Sequence, residues 1–536
     1  LPVMQNFTTL KPFINLKNQN MFKQHPKGLL AAALANMGER FGFYTMMAIL
    51  VLFLQAKFGL SGVNAGIIYS IFYFSIYILA FVGGLIADKT RNYKGTILTG
   101  LILMAVGYFL IAIPSPTPTP NKVLFLTLTC IGLFVIAFGN GLFKGNLQAL
   151  VGQMYDNPQY GKMRDSGFSL FYMFINVGAI FAPLAAIGVR NWWLGKHGFQ
   201  YNADLPSLCH AHLDGTINSA ASESLTQIAT KVSASPVADM TFFAKDYLNV
   251  FTTGFHYAFA VAIFAMAISL VIYMVNKKNF PNAKKVVTSG SAVDPDAIVM
   301  DIKEVKQRLY ALFAVFGVAI FFWLSFHQNG LTLTLFAKEY TDLSSVKVSI
   351  GSLTLQGAEI FQSINPFFVV FLTPLVLVFF GWLRKKGKEP STPRKIAIGM
   401  FIAAIAFLVM AIGSYVSNLP LHSAINPEEG GVPLAESLKV TPFLLILTYF
   451  ILTVAELFIS PLGISFVSKV APPQYQGVMQ GGWLGATAIG NAFLFLGAIL
   501  YSTIPIWMTW TLFVVACTIS MFTMIFMLKW LERVAK

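Results

Sequence analysis

Charge is scarce in this chain. Only 11% of its 536 residues are Asp, Glu, Lys or Arg, while 56% are hydrophobic. Soluble globular domains carry roughly 25% charged residues, so an ordinary soluble protein is excluded. Cysteine is nearly absent too. Cys130, Cys209 and Cys517 lie far apart, two of them inside apolar runs, which leaves no disulfide framework and no metal-ligand spacing. No nucleophile–base pair or phosphate-cradling loop stands out, so the chain is not expected to be an enzyme. Acidic residues number 22 against 37 basic ones, a formal net charge of +15. That excess does not make a nucleic-acid-binding face. The basic residues are scattered over short loops between apolar spans, which is the positive-inside pattern of membrane proteins.

What the sequence has instead is apolar runs, twelve of them long enough to cross a bilayer. They fall at about 29–55, 62–87, 96–114, 123–151, 166–189, 247–275, 308–337, 351–383, 396–416, 441–468, 477–501 and 506–530. Three polar stretches interrupt them. Residues 1–28 read as a cytoplasmic tail, either lying on the membrane surface or disordered. Residues 190–246, rich in Ser, Ala and Asp, follow an odd-numbered span and belong on the outer side. Their Cys209-His210-Ala-His212 tract resembles a metal-binding run but lacks a fuller ligand set, so a solvated loop is the expectation. Residues 276–306, with Ser-Gly-Ser and Asp-Pro-Asp, have the composition of a cytoplasmic linker. It separates a six-span half at 29–275 from another at 307–536. Most of the Lys and Arg, including those of loops 88–95 and 384–395, then lie on one side, which puts both termini in the cytoplasm. The expected fold is an all-α integral membrane protein, two six-helix bundles that rock against each other.

Few ionisable groups sit deep in the spans, and each costs on the order of 2.5–3.5 kcal/mol to insert. Glu39 and Arg40 are adjacent in span 1. Asn36, Glu39/Arg40, Phe43/Tyr44 and Met47 recur at helical spacing and form one stripe. That stripe faces either a wet cavity or a neighbouring helix pinned by a self-neutralising pair. Lys144 lies in span 4, within Phe138-Gly-Asn-Gly-Leu-Phe-Lys144-Gly-Asn146, where glycines let backbones approach closely. A lysine there needs a partner and Glu39 is the obvious one, which would leave the planar fork of Arg40 free for a substrate carboxylate. His327 in span 7 is either a proton switch or a hydrogen-bonding residue. Glu456 in span 10 is either the seat of a substrate ammonium or a packing acid kept neutral by burial. A zwitterion with separated ends would bridge the opposite charges of the two halves.

These residues resemble the proton-dependent oligopeptide transporter family, a branch of the major facilitator superfamily, over nearly the whole chain. The marks are Glu39-Arg40-Phe41 with Tyr44, Gly83-Gly84-x-x-Ala87-Asp88, Phe143-Lys144-x-Asn146 and Phe171-Tyr172-Met-Phe-Ile-Asn176-Val-Gly178. Phe322-Trp323 with Gln328 and Gly330, Ile364-Asn365-Pro366, Glu456 through Ser460-Pro461, and Gly482-Trp483 continue the match. The resemblance implies a site between the halves. Arg40, Tyr44 and Lys144 would receive a peptide carboxylate, and Asn176, Asn365 and Glu456 its amino terminus. Asn36, Phe43, Tyr77, Trp323, Gln328, Ser460 and Trp483 would line the pocket. Glu39, His327 and Glu456 are the expected proton-coupling groups. No cofactor or metal is expected, since a proton gradient would supply the drive.

Departures accompany the resemblance. The family's span-1 motif is Glu-x-x-Glu-Arg, and its first acid is here Asn36. Its tyrosine pair is Phe43-Tyr44. A span-1 arginine that commonly pairs with a span-7 acid corresponds to Met47, and the acid's place is taken by His327. The linker also looks too short for the two extra helices common in bacterial members. The expected function is proton symport of di- and tripeptides by a monomeric unit in lipid, in a bacterial inner membrane. The alternatives are an uncoupled facilitator, or the same scaffold carrying nitrate or another small molecule.

Overall fold

The computed structural model describes residues 25–90, 92–155, 159–160, 164–281, 302–350, 353–472 and 476–535. The greater part of the expected tail and linker therefore lies outside the described residues. Twelve helical spans are long and apolar enough to cross a membrane. They are Gly28–Phe58, Gly62–Ala87, Tyr93–Ala112, Lys122–Met154, Leu170–Lys196, Met240–Asn279, Ile302–Glu339, Ala358–Phe380, Thr392–Val416, Phe443–Ile464, Gly481–Thr503 and Ile506–Val534, called spans 1 to 12. Asn and Asp side chains fix several starts by accepting from unpaired first-turn amides. Asn92 accepts from Gly95 N, Asn121 from Leu124 N, and Asp239 from Thr241 N and Phe242 N. The Asp239 cap is why span 6 begins about two turns before the expected 247.

Span 1 packs on spans 5 and 6, and span 4 packs on spans 2 and 3. In the second half, span 9 packs on spans 10 and 12 and span 7 lies on span 11. Lipid-like surroundings offer no hydrophobic force between helices, so close crossings rely on small residues. A Cβ on Gly83 would lie 2.2 Å from Gly141 O, and one on Gly139 would lie 2.7 Å from Gly100 O. The two halves meet where span 2 lies along span 11 and where the end of span 5 meets the start of span 8.

Two expectations are corrected. Span 8 starts at Ala358 rather than 351, because Val348–Ile350 and Leu353–Leu355 pair as a small antiparallel hairpin, β1 and β2. Segment 190–246 is not merely a solvated loop. Span 5 runs on to Lys196, and two further helices follow, α1 (Leu205–Leu213) and α2 (Ser219–Val232). Leu205, Leu208, Cys209, Ala221, Leu225 and Ala229 are fully buried between them and span 6. We call this side of the bundle the loop face and the opposite side the terminal face.

Three spans are discontinuous. Span 7 breaks at a 3₁₀ turn, His327–Gly330, and span 8 opens with another, Ala358–Ser363. Span 11 divides between Ala492 and Phe495. Such interruptions in a membrane helix free backbone groups and mark places where the helix can bend.

Candidate functional site

Span 1 carries the first cluster. Both guanidinium edges of Arg40 engage its neighbour Glu39, with Nε 2.5 Å from Oε2 and Nη2 2.6 Å from Oε1. From span 4, Asn140 Nδ2 donates to Glu39 Oε1 at 2.6 Å. Glu39 is fully buried, and these donors occupy both its oxygens. The guanidinium also lies 4.7 Å above the Phe43 ring, and Tyr44 meets Phe43 edge-on at 5.3 Å.

Lys144 therefore does not pair with Glu39, contrary to the expectation from sequence, and Arg40 is not left free. The fork of an adjacent arginine fits a carboxylate better than an ammonium one helix away. Lys144 Nζ sits instead 4.4 Å from the centroid of Tyr77. Among the described residues no carboxylate lies within ion-pair reach of it. An ammonium held only by a ring face keeps its donors available. Asn36 is buried one turn before Glu39, and Asn176 Nδ2 turns back to Tyr172 O at 3.3 Å.

The second half presents an acid and an amide. Asn365 Nδ2 donates to Glu456 Oε2 at 2.9 Å and to Thr453 Oγ1 at 3.0 Å. Among the described residues no donor is bonded to the other carboxylate oxygen. Trp323 Nε1 and Ser460 Oγ are buried and lack a partner among the described residues. Buried polar atoms are usually paired, so these two suit a ligand's polar groups. Trp323 stands 6.5 Å from Trp483 and stacks on His327 at 4.9 Å.

His327 also meets Tyr73 of span 2 at 4.8 Å, in a ladder with Tyr69 and Tyr77 that joins the halves. Its Nδ1 is 2.5 Å from Asn491 Oδ1 in span 11. Gln328 is fully buried and spends its amide within its own half, on Leu324 O, Leu494 O and Thr332. It secures the breaks of spans 7 and 11 rather than offering itself to a pocket. The expected groups thus gather as an Arg–Glu–Asn cluster with a separate lysine in one half, and an acid–amide pair with an indole wall in the other.

Residues that the sequence reading did not single out hold the loop face. Arg190, at the end of span 5, pairs with Glu359, at the start of span 8, and both are buried. Lys439 Nζ lies 3.1 Å from Asp204 Oδ2, a second pair between the halves. Burial opposes the charge of Lys439, but Asp204 and Glu436 outweigh it and raise its pKa. The Cys209-His210-Ala-His212 tract holds no metal-like group among the described residues. His210 Nε2 bonds to Ala56 O and His212 Nε2 to Thr241.

Comparisons with known proteins agree with this fold. A family model described as the POT family matches residues 94–293 and 283–508. The chain is 30% identical over 486 residues to a peptide transporter, YePEPT, of Yersinia enterocolitica, covering 89% of this chain and 88% of that one. It is 26% identical to dipeptide and tripeptide permease A of Escherichia coli, with 88% and 83% covered. Among solved structures, a peptide transporter POT in complex with sulfate superposes with a TM-score of 0.68 at 22% identity, covering 95% and 96%. A POT family transporter in complex with 5-aminolevulinic acid gives 0.68 at 20%, covering 96% and 97%. With twelve apolar spans, a major-facilitator architecture and matches of this extent, the chain belongs to the POT family of membrane transporters.

Proposed function

We propose that this chain imports di- and tripeptides by proton symport, through alternating access between its two helical bundles. The observation that carries the reading is the division of charge. The first half offers Lys144, held only by the Tyr77 ring, and the second offers Glu456, prepared by Asn365. A peptide's carboxylate seats on Lys144 and its ammonium on Glu456 and Asn365. Two extended residues span about 6.5–7 Å, a length suited to opposite walls of a narrow cavity. Trp323, Trp483 and Tyr77 supply contact area without demanding one side-chain chemistry, so selectivity is broad. The named relatives, which are peptide transporters and permeases, favour the same cargo.

Glu39 is the coupling group in this reading. Ionised, it engages the fork of Arg40. Protonated, it lets the guanidinium turn to the substrate carboxylate beside Lys144 and Tyr44. Substrate and proton thereby share one cation. Each proton crossing 100 mV yields about 2.3 kcal/mol, roughly fiftyfold accumulation. The terminal face is cytoplasmic, as the basic loops favour, and the membrane is a bacterial inner membrane.

A facilitator is the second reading. Asn36, Met47 and His327 stand where the family carries charge, and the His327 ring is spent on Asn491. Uptake of labelled dialanine into proteoliposomes, with and without an inward proton gradient, separates the two. Accumulation that Glu39→Gln abolishes is expected. Equilibration without accumulation selects the facilitator, and absence of uptake overturns the peptide assignment.

A further inference from the structure

The structure points to Arg190 and Glu359 as the gate of the loop face. Their contact holds the two bundles together there, and its rupture opens the path from that side. The inference rests on the transporter reading, but its first test does not need a substrate.

The pair is built, not incidental. Arg190 Nη1 donates to Glu359 Oε1, Nη2 to Gln356 O at 3.1 Å, and Nε to Asn191 Oδ1 at 3.0 Å. Asn191 Nδ2 returns to the same Gln356 O at 2.9 Å. The guanidinium lies over Tyr201 at 4.2 Å, with Phe255 at 5.3 Å and Phe251 at 5.5 Å. Span 5, the segment after it and span 6 thus enclose the arginine, while the 3₁₀ turn of span 8 delivers the acid. Gly357 permits the approach. A Cβ there would lie 2.3 Å from Glu359 Oε2 and 2.7 Å from Arg190 Nη2.

Position gives the pair its function. Among the described residues, ion pairs between the halves are Arg190–Glu359 and Asp204–Lys439, and both lie on the loop face. The other ion pairs among the described residues, such as Arg308–Glu304 and Lys395–Glu389, stay within one half. Asn218 Nδ2 adds a bond to Gly430 O across the same face. A buried ion pair is little better than an apolar pair of similar volume for holding a fold together. It differs in what happens when the halves part. Both charges then gain water, whereas two apolar side chains would resist exposure. A charged latch is stable when shut and tolerable when open, as a gate requires.

Two variants of the full-length protein test this in opposite directions. Glu359→Gln leaves Arg190 without its counter-charge and weakens the closed loop face. Arg190→Met with Glu359→Leu keeps an apolar contact and strengthens it. Hydrogen exchange of the purified proteins in detergent is read at residues 186–205 and 356–363 on the loop face, and at 144–155 and 479–486 toward the terminal face. For Glu359→Gln, we expect exchange to rise several-fold on the loop face and fall on the terminal face. For the double variant, we expect loop-face exchange at or below wild type, an undiminished melting temperature and loss of uptake. Changes on both faces in the same direction, or no change, would overturn the gate. So would a double variant that transports like wild type. Should Glu359→Gln fail to fold, Arg190→Lys takes its place, with a smaller rise on the loop face and fall on the terminal face expected and no opposite shift of the two faces counting against the pair. If wild type carries no peptide, the peptide assignment falls, while the exchange arms still decide the gate.

Discussion

His327 Nδ1 lies 2.5 Å from Asn491 Oδ1, and this bond ties the 3₁₀ break of span 7 to the break of span 11. Gln328 repeats the tie one residue later through Leu494 O. Two interrupted helices are thereby coupled at their breaks. We expect His327→Ala and Asn491→Ala each to lower turnover by roughly tenfold, the effect of one lost buried hydrogen bond. The double variant should be little worse than either single one. An unaltered pH profile of uptake would assign His327 to the hinge, and a flattened profile in His327→Ala alone would return it to proton transfer.

Lys144 and Glu456 should divide the substrate's ends between them. Lys144→Ala is expected to raise the KM for dialanine by at least about tenfold, near 1.4 kcal/mol. The same change should matter little for an analogue whose carboxylate is amidated. Glu456→Gln should show the converse, a large loss for dialanine and a small one for its N-acetylated form. Competition assays with the two blocked analogues make the distinction, and equal losses for both would sink the assignment of ends.

The helix crossings near the site leave no room for a methyl group. On Gly139 a Cβ would sit 2.7 Å from both Gly100 O and Met104 N. Gly139→Ala should cost about 1–3 kcal/mol by forcing spans 3 and 4 apart. It is also expected to disturb the neighbouring Asn140–Glu39 bond, so melting temperature and gradient-driven uptake should fall together. Gly485→Ala, where no atom lies within 4 Å of the added carbon, serves as the control and should change neither.

On the loop face, stability should depend on pH through His422. Burial opposes its charge, but the Glu339 carboxylate 3.5 Å away outweighs burial and raises its pKa above 6.5. A raised folded-state value means the contribution is fully present below about pH 6.5 and is lost as pH climbs through the folded value. The melting temperature of wild type should therefore exceed that of His422→Gln by about 1 °C in acid. That gap should close as pH rises from about 6.5 through the folded value. A gap that widens with pH would show that Glu339 does not hold the imidazolium.

Much of this molecule is legible in the chain, because a membrane span announces itself by length and apolarity. All twelve spans and the stripe from Asn36 to Met47 follow from that. Charges isolated in apolar runs, Glu39, Arg40, Lys144 and Glu456, were visible for the same reason. Their pairing was not, since whether Arg40 or Lys144 takes Glu39 depends on rotamers and on Asn140, not on spacing. Arg190 and Glu359 were missed for a different reason. Arg190 falls where span 5 was expected to end, so it read as a loop residue. Glu359 follows the strand Leu353–Leu355, whose leucines extended the apparent span. Only the fold brings these two residues together. The helices at 205–213 and 219–232 did leave a trace, in the helical spacing of Leu205, Leu208 and Cys209 and of Ala221, Leu225 and Ala229.

The uneven stitching of the two faces makes the molecule an asymmetric carrier. With ion pairs between the halves lying on the loop face, the resting carrier waits with that door shut. Under the proposed gate, a solute arriving from the terminal side meets no ion pair between the halves among the described residues, while one arriving from the loop side binds only the rare molecules whose door has swung. Its apparent affinity is diluted by that rarity, even if the site itself treats both visitors alike. Direction of transport and ease of capture are therefore separate properties of this protein, the first set by the driving force and the second by which door is latched at rest.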